Sequence, residues 1–496
     1  MPEPVIAAQG IGFTYPPLTP EIAATPLFEA LELRVGAGEA YAVMGASGSG
    51  KSTLCYLLAG LAPRYTGGQS NGSLRIAGHD PFAAPLPAGA VGLLFQDAAT
   101  QLFNATVEDE VAWGLETLGV PSGDIGPRVN MALRQFGLLP LTGRAPWTLS
   151  GGEQKRLALA AVWAMRPRVW ALDEPLGGLD PVGRREVLTA LAALRDDGAT
   201  LLLTTLRPQT AQLADSASLL VSGTLTPPQP PAHLLAAEPR LEEAGILLPR
   251  TRWPKVPPSP HPAGNEPAIV TRNLSFTYGD GRAVLQGIDL AIPRGRCVAL
   301  VGVNGAGKST LARHFNGLLR PISGTVTILG HDAARTAPGE LARQVGFLFQ
   351  RPEQQIFGVT VRDEVAYGPR CLRLPDADAR VERALARFDL SASATLPPAI
   401  LSYGARRAVT LAALAALETP ILVLDEPTVG LDGRGWAQLL DWLAERRAAG
   451  TTIILITHES ELAAWCDEII ALRAGRILAN RPAATVLGQL AGELLA

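Results

Sequence analysis

The chain has 496 residues, a formal net charge of −3 and 47% hydrophobic residues, which leaves room for two or more domains with substantial cores and gives no global basic field for nucleic acid. No apolar run approaches the ~18–20 residues that span a bilayer, and the longest candidates, such as residues 157–165, end quickly at Arg166. The four cysteines include no C-x-x-C, and Met1-Pro2-Glu3-Pro4 lacks the charged-then-apolar pattern of a signal peptide, so the expectation is an intracellular soluble chain without zinc or disulfides.

In chain order, Gly12-Phe13-Thr14-Tyr15 opens the first half. The apolar run Tyr41 to Met44 then leads into Gly45-Ala46-Ser47-Gly48-Ser49-Gly50-Lys51-Ser52-Thr53. A strand, a tight glycine turn and a helix N-terminus in succession form a phosphate cradle. Backbone N–H groups wrap the phosphates, the lysine reaches the β/γ-phosphates and the serine hydroxyl holds Mg²⁺. Next come Leu93-Leu94-Phe95-Gln96, the segment Gln101 to Gly114, and Leu149-Ser150-Gly151-Gly152-Glu153-Gln154. Val169-Trp170-Ala171-Leu172-Asp173-Glu174 follows, then Gly178-Leu179-Asp180 and Leu203-Thr204-Thr205-Leu206. A strand that delivers Asp-Glu at its C-terminal end puts one carboxylate on Mg²⁺ and the next beside an attacking water.

A stretch rich in proline and alanine, residues 227–266, reads as a semi-rigid linker, because Pro227-Pro228-Gln229-Pro230-Pro231 and Val256-Pro257-Pro258-Ser259-Pro260 cannot continue helix or central strand. Leu234 to Leu248 reads as a short helix within it. The pattern then starts again at an offset of roughly 250 to 260 residues: Ser275-Phe276-Thr277-Tyr278, Gly302 to Gly307-Lys308-Ser309-Thr310, and Phe347-Leu348-Phe349-Gln350. Leu401-Ser402-Tyr403-Gly404-Ala405-Arg406, Ile421-Leu422-Val423-Leu424-Asp425-Glu426 and Gly430-Leu431-Asp432 complete it. This is a domain duplication, with domains at 1–226 and 267–496. Short β-rich runs alternating with helical segments give each an α/β fold.

The order of these motifs resembles the nucleotide-binding domains of ABC ATPases, over nearly the whole chain outside the linker. The resemblance implies two tandem P-loop (RecA-like) domains, each with an antiparallel β subdomain and a helical subdomain carrying the Leu-Ser-Gly-Gly signature. It implies that ATP, with Mg²⁺ on Ser52, Gln96 and Asp173 or on Ser309, Gln350 and Asp425, lies between one domain's P-loop and the other's signature. Glu174 and Glu426 then serve the water, and Tyr15 and Tyr278 match the adenine-stacking aromatic. His458, after the strand residues 452–457, matches a γ-phosphate contact, and Leu206 stands in its place in the first half.

A narrower resemblance lies in Gln101-Leu102-Phe103 to Glu110-Val111-Ala112-Trp113-Gly114 and its copy Gln355-Ile356-Phe357 to Glu364-Val365-Ala366-Tyr367-Gly368. This is similar to energy-coupling factor (ECF) ATPases. It implies a transmembrane T component, a small substrate-binding membrane component, and a place on the cytoplasmic membrane face. Asp109, Glu110, Asp363 and Glu364 are candidates to pair with partner arginines, or else form a solvated helix face. Head-to-tail pairing joins Lys308, Asp425, Glu426 and His458 to Ser150-Gly151-Gly152. The second site joins Lys51, Asp173 and Glu174 to Ser402, Tyr403 and Gly404. Hydrolysis is then expected mainly at the former. Fused sugar-importer ATPases are the nearer rival. Ribosome-associated relatives fit less well, because the linker has no Lys/Arg run.

Overall fold

The computed structural model describes residues 4–17, 24, 26–246, 266–279, 281 and 283–483. The chain divides into two compact units, Met1–Leu248 and Pro249–Ala496. Each is built the same way.

In the first unit a six-stranded sheet runs in the order Val91–Leu94, Val169–Asp173, Thr200–Thr205, Ala40–Met44, Ser216–Val221, Thr224–Leu225. Its first five strands are parallel and the last is antiparallel. Strands buried on both faces should be continuously apolar, and Ala40–Met44 is buried at every residue. Its side chains alternate between two cores. Tyr41 and Val43 face the helix Lys51–Leu58 and a three-stranded antiparallel sheet. Ala40, Ala42 and Met44 face a helical layer. The antiparallel sheet sets Ile6–Thr14 between Pro26–Val35 and Gln69–Ile76. The helical layer packs Val107–Thr117, Ser122–Gln135 and Gly151–Ala164 against one another.

The second unit repeats the strand order as Val345–Leu348, Ile421–Asp425, Thr452–Ile456, Cys297–Val301, Glu468–Arg473, Arg476–Pro482. A four-stranded antiparallel sheet and the helices Val361–Cys371, Ala377–Arg387 and Tyr403–Leu417 complete it. The expected α/β fold with one antiparallel and one helical subdomain is thus present twice.

The stretch read as linker behaves differently over its first half. Residues 227–246 fold back on the first unit as two short helices, Pro231–Ala236 and Glu238–Glu243, where one helix running to Leu248 was expected. Leu234, Leu241, Ala244 and Ile246 join the core beside Ala217 and Leu219. Proline opens the first of these helices at a position whose N–H has no intrahelical partner anyway, so the proline density there starts structure as well as interrupting it. Val256-Pro257-Pro258-Ser259-Pro260 lies outside the described residues.

Candidate active site

In each unit the C-terminal ends of three adjacent parallel strands converge, as ligand sites in open α/β sheets do. The central one, Ala40–Met44, ends in the first phosphate loop. Gly50 sits at φ 103°, a left-handed conformation at the helix start where a Cβ would come 2.6 Å from the Phe28 ring, so glycine is required. Gly307 repeats this at φ 101°.

Lys51 Nζ donates to Gly45 O at 2.7 Å and Ala46 O at 2.8 Å, and Lys308 Nζ to Gly302 O at 2.6 Å and Val303 O at 3.1 Å. Each ammonium is therefore folded over its own loop, where the phosphates of a nucleotide would replace those carbonyls. Ser52 Oγ donates to Asp173 Oδ2 at 2.5 Å, and Ser309 bonds Asp425 in the same way. Tyr15 OH meets Thr53 Oγ1 at 2.9 Å and Tyr278 OH meets Thr310 Oγ1 at 3.1 Å, which brings both tyrosines beside the first turn of the loop helix.

The neighbouring strand in each unit carries the paired acids. Thr204 Oγ1 holds Asp173 Oδ1 at 2.6 Å. Glu174 and Glu426 are non-glycine residues at φ 46° and 49°, a backbone state that costs about 1–3 kcal/mol and persists where surroundings enforce it. Glu174 keeps one buried carboxylate oxygen, Oε1, without a hydrogen-bond partner, and the same oxygen of Glu426 is buried with the His458 ring beside it. A buried acceptor left open beside a phosphate loop is suited to a water that must be oriented or deprotonated. Burial, followed by the Asp425 charge, pushes Glu426 up to about 8. Burial, with the Asp173 charge, also raises Glu174, while Lys51, Arg207 and Lys155 pull it back.

The third strand ends differently in the two units. His458 Nε2 lies 3.3 Å from Glu426 Oε1 and 3.2 Å from Asn304 Oδ1 of the phosphate loop. In the first unit Leu206 is buried, and Glu174 meets instead Thr205 Oγ1 at 3.4 Å.

The signatures start helices. Ser150 caps Gly151–Ala164 and forms a full capping box with Glu153, whose Oε2 accepts from Ser150 N at 2.8 Å. Ser402 caps Tyr403–Leu417 through Ala405 N at 3.2 Å, but alanine has nothing to return. The Tyr403 ring lies over Gly430, where a Cβ would come 2.2 Å from it, and the Arg406 guanidinium sits 5.9 Å from the ring centroid. These phosphate-loop, carboxylate and histidine residues gather within their own units. Gln96 and Gln350 follow strands paired directly to the Asp-Glu strands.

Two acids read as partner contacts are corrected. Glu110 and Glu364 are buried, and each Oε2 accepts two backbone N–H groups, from Phe103 and Asn104 at 2.9 and 2.8 Å and from Phe357 and Gly358 at 2.9 and 2.7 Å. They clasp the loop before their own helix. Asp109 and Asp363 remain at the surface, paired with Thr106 and Thr360. The clasped loops display aromatic pairs to solvent, Phe103 with Trp113 (61% and 47% exposed) and Phe357 with Tyr367 (62% and 52%), with centroids 4.9 and 4.5 Å apart. Gln101 and Gln355, which open these segments, have Oε1 atoms that accept from Phe95 N and Phe349 N and brace the turn after each glutamine strand, a role that their place in the segment does not itself disclose. Their repetition at matching places was the available signal.

Fold and site together define a duplicated P-loop ATPase. The ABC transporter family profile matches residues 28–177 and 285–429. Relatives named as ABC transporter ATP-binding proteins include one of Methanosarcina acetivorans, 33% identical over 92% of this chain and 83% of that one. Another, of Caldanaerobacter subterraneus subsp. tengcongensis, is 32% identical over 90% and 87%. Among solved structures, cbiO1 from Clostridium perfringens, described as part of the ABC transporter complex cbiONQ, is 32% identical over 45% of this chain and 92% of that one, with a TM-score of 0.41. The chain belongs to the ABC transporter family and is an ATP-binding, ATP-hydrolysing subunit. Among the described residues, no helix is long and apolar enough to cross a membrane.

Proposed function

We propose that the chain is the energy-coupling ATPase of an ECF-type importer, bound peripherally to the cytoplasmic face of the membrane through a transmembrane T component that also holds a small substrate-binding membrane protein. The observation that carries this reading is the duplicated segment after each glutamine strand. In both units it turns an aromatic pair outward from a loop clasped by a buried glutamate. Exposed aromatics on a braced loop suit a protein partner, and Asp109 and Asp363 beside them offer charge to basic partner residues.

Catalysis in this reading is positioning and charge stabilisation of γ-phosphoryl transfer to water. The two domains pair head to tail, so that Lys308, Ser309 and Glu426 work with Ser150, Gly151 and Gly152, and Lys51, Ser52 and Glu174 with Ser402 and Gly404. Mg²⁺ fits the donor sets Ser52, Asp173, Gln96 and Ser309, Asp425, Gln350, which hold one carboxylate each. Among the described residues, no group of three or more His, Cys, Asp or Glu gathers to hold a metal, and a cation that keeps waters and nucleotide phosphates needs none. When bound, it neutralises developing phosphate charge. Glu426, flanked by His458, orients or deprotonates the water, and the site lacking a histidine turns over slowly. Tyr15 and Tyr278 stack on adenine.

The test is purification of the tagged chain from its native membranes. A polytopic membrane protein together with a small substrate-binding membrane protein is the expected result. A pair of sugar-permease subunits would move the chain to another importer class, and ribosomes without membrane proteins would overturn transport altogether.

A further inference from the structure

The two signature helices are copies, yet each is fastened to a different loop of its own unit. Alignment of Leu149-Ser150-Gly151-Gly152-Glu153-Gln154-Lys155 with Leu401-Ser402-Tyr403-Gly404-Ala405-Arg406-Arg407 sets Lys155 against Arg407. Both side chains are buried, at 4% and 0% exposure, where a cation needs hydrogen-bond acceptors. Lys155 Nζ donates to Glu174 O at 2.7 Å and Gly177 O at 2.9 Å. It thereby closes the turn that follows the paired acids, which Gly177 N also closes onto Glu174 O at 3.0 Å. Arg407 points the other way. Its Nη1 donates to Phe349 O at 2.7 Å and its Nη2 to Gln350 O. In the second unit the counterpart bond in the turn after Glu426, Val429 N to Glu426 O, is longer at 3.3 Å, and Lys155's counterpart is spent on the glutamine loop.

The residue types explain the choice. A lysine ends in a compact group whose three donors reach the two carbonyls of one tight turn. A guanidinium is a planar fork that spans the carbonyls of two consecutive residues. We propose that Lys155 and Arg407 are positioning residues that wire each signature helix to a different working loop: the first to the backbone of Glu174, the second to the backbone of Gln350. Movement of the helix Gly151–Ala164 then shifts the hydrolytic carboxylate of its own unit. Movement of Tyr403–Leu417 shifts the glutamine loop that precedes the exposed Phe357 and Tyr367. The functional part of this inference rests on the roles given above to Glu174 and Gln350; the wiring itself does not.

Hydrogen exchange on the full-length, nucleotide-free chain separates the two. Lys155→Met should speed exchange at residues 173–180 by about fivefold or more, the loss expected for a removed buried hydrogen bond, and leave residues 348–354 unchanged. Arg407→Met should do the reverse, at residues 348–354 and not 424–432. Equal loosening of both segments by either variant, or loosening of neither, overturns the wiring. Lys155→Gln, which keeps a shorter donor, reads the same segments if the methionine variant does not fold. A kinetic arm tests the positioning role. In a Glu426→Gln background, Lys155→Met should slow single-turnover ATP cleavage about fivefold to tenfold with ATP affinity within about twofold. A loss of affinity with unchanged cleavage contradicts positioning. If Glu174 is not the working carboxylate, the kinetic arm fails while the exchange arm still reports the wiring.

Discussion

The surroundings of Glu174 and Glu426 differ far more than the backbone that presents them. Both sit at the end of the second strand of an identically ordered sheet, at φ 46° and 49°, each with one buried carboxylate oxygen outside any regular hydrogen bond. Around Glu426 stand His458 at 3.3 Å, the Asp425 and Glu459 charges, which reinforce burial in raising it, and Lys308, which opposes them. Around Glu174 stand Thr205 and the buried leucine, with Asp173 reinforcing burial as Asp425 does, but with Arg207 and Lys155 added to Lys51 in opposing it. Duplication has preserved the frame that puts a carboxylate beside a phosphate loop and has let the charges around it diverge. The family frame alone therefore does not make the two centres equal.

The largest effect should come from neutralising the two carboxylates in turn. Glu426→Gln is expected to cut steady-state ATP turnover ~100-fold or more, the scale of losing a preorganised transition-state contact, whereas Glu174→Gln should leave it within about twofold. Steady-state phosphate release measures both, and equal losses would erase the comparison. Next in size, Leu206→His in the Glu426→Gln chain should raise residual cleavage about tenfold by restoring a donor beside the phosphate. No gain would mean that Thr205 or Arg207 already fills that role.

A smaller effect concerns the clasps that make the units alike. Glu110→Ala or Glu364→Ala strands two backbone N–H groups in a buried loop and should cost about 2–4 kcal/mol in urea unfolding of that unit. A cost near zero would show that the loop finds other acceptors.

The smallest is a pH effect on the nucleotide-free protein. Glu426 is raised from the ordinary carboxylate value to about 8, so between about 4.5 and 8 the folded state holds a proton that the unfolded state has released. Stability from this group is present at low pH and is lost as pH rises through that window. Glu426→Gln should therefore raise the melting temperature more at pH 8.5 than at pH 5.5. A difference independent of pH would contradict the raised value.

Much of this was legible in the sequence because the motifs are backbone requirements. Gly50 and Gly307 must adopt left-handed turns, the strands before Lys51 and Lys308 are buried on both faces, and Ser150 and Ser402 are where helices begin. What the sequence could not supply is where a long polar side chain ends. Glu110 follows Asp109 directly, yet one curls back to two backbone donors while the other stays at the surface. Lys155 and Arg407 occupy matched positions and reach opposite loops. Residues 227–246 read as semi-rigid linker with a short helix, because proline excludes helix interiors, but Leu234, Leu241 and Ile246 give them an apolar face that the first unit buries.

The central claim is that two bound ATP molecules meet unequal chemistry. Rapid-quench single-turnover cleavage, with both sites loaded before Mg²⁺ is added, tests it most directly. The account predicts one ATP cleaved quickly per chain and the second at least ~100-fold more slowly. Two ATP molecules cleaved per chain with a single rate constant would contradict it.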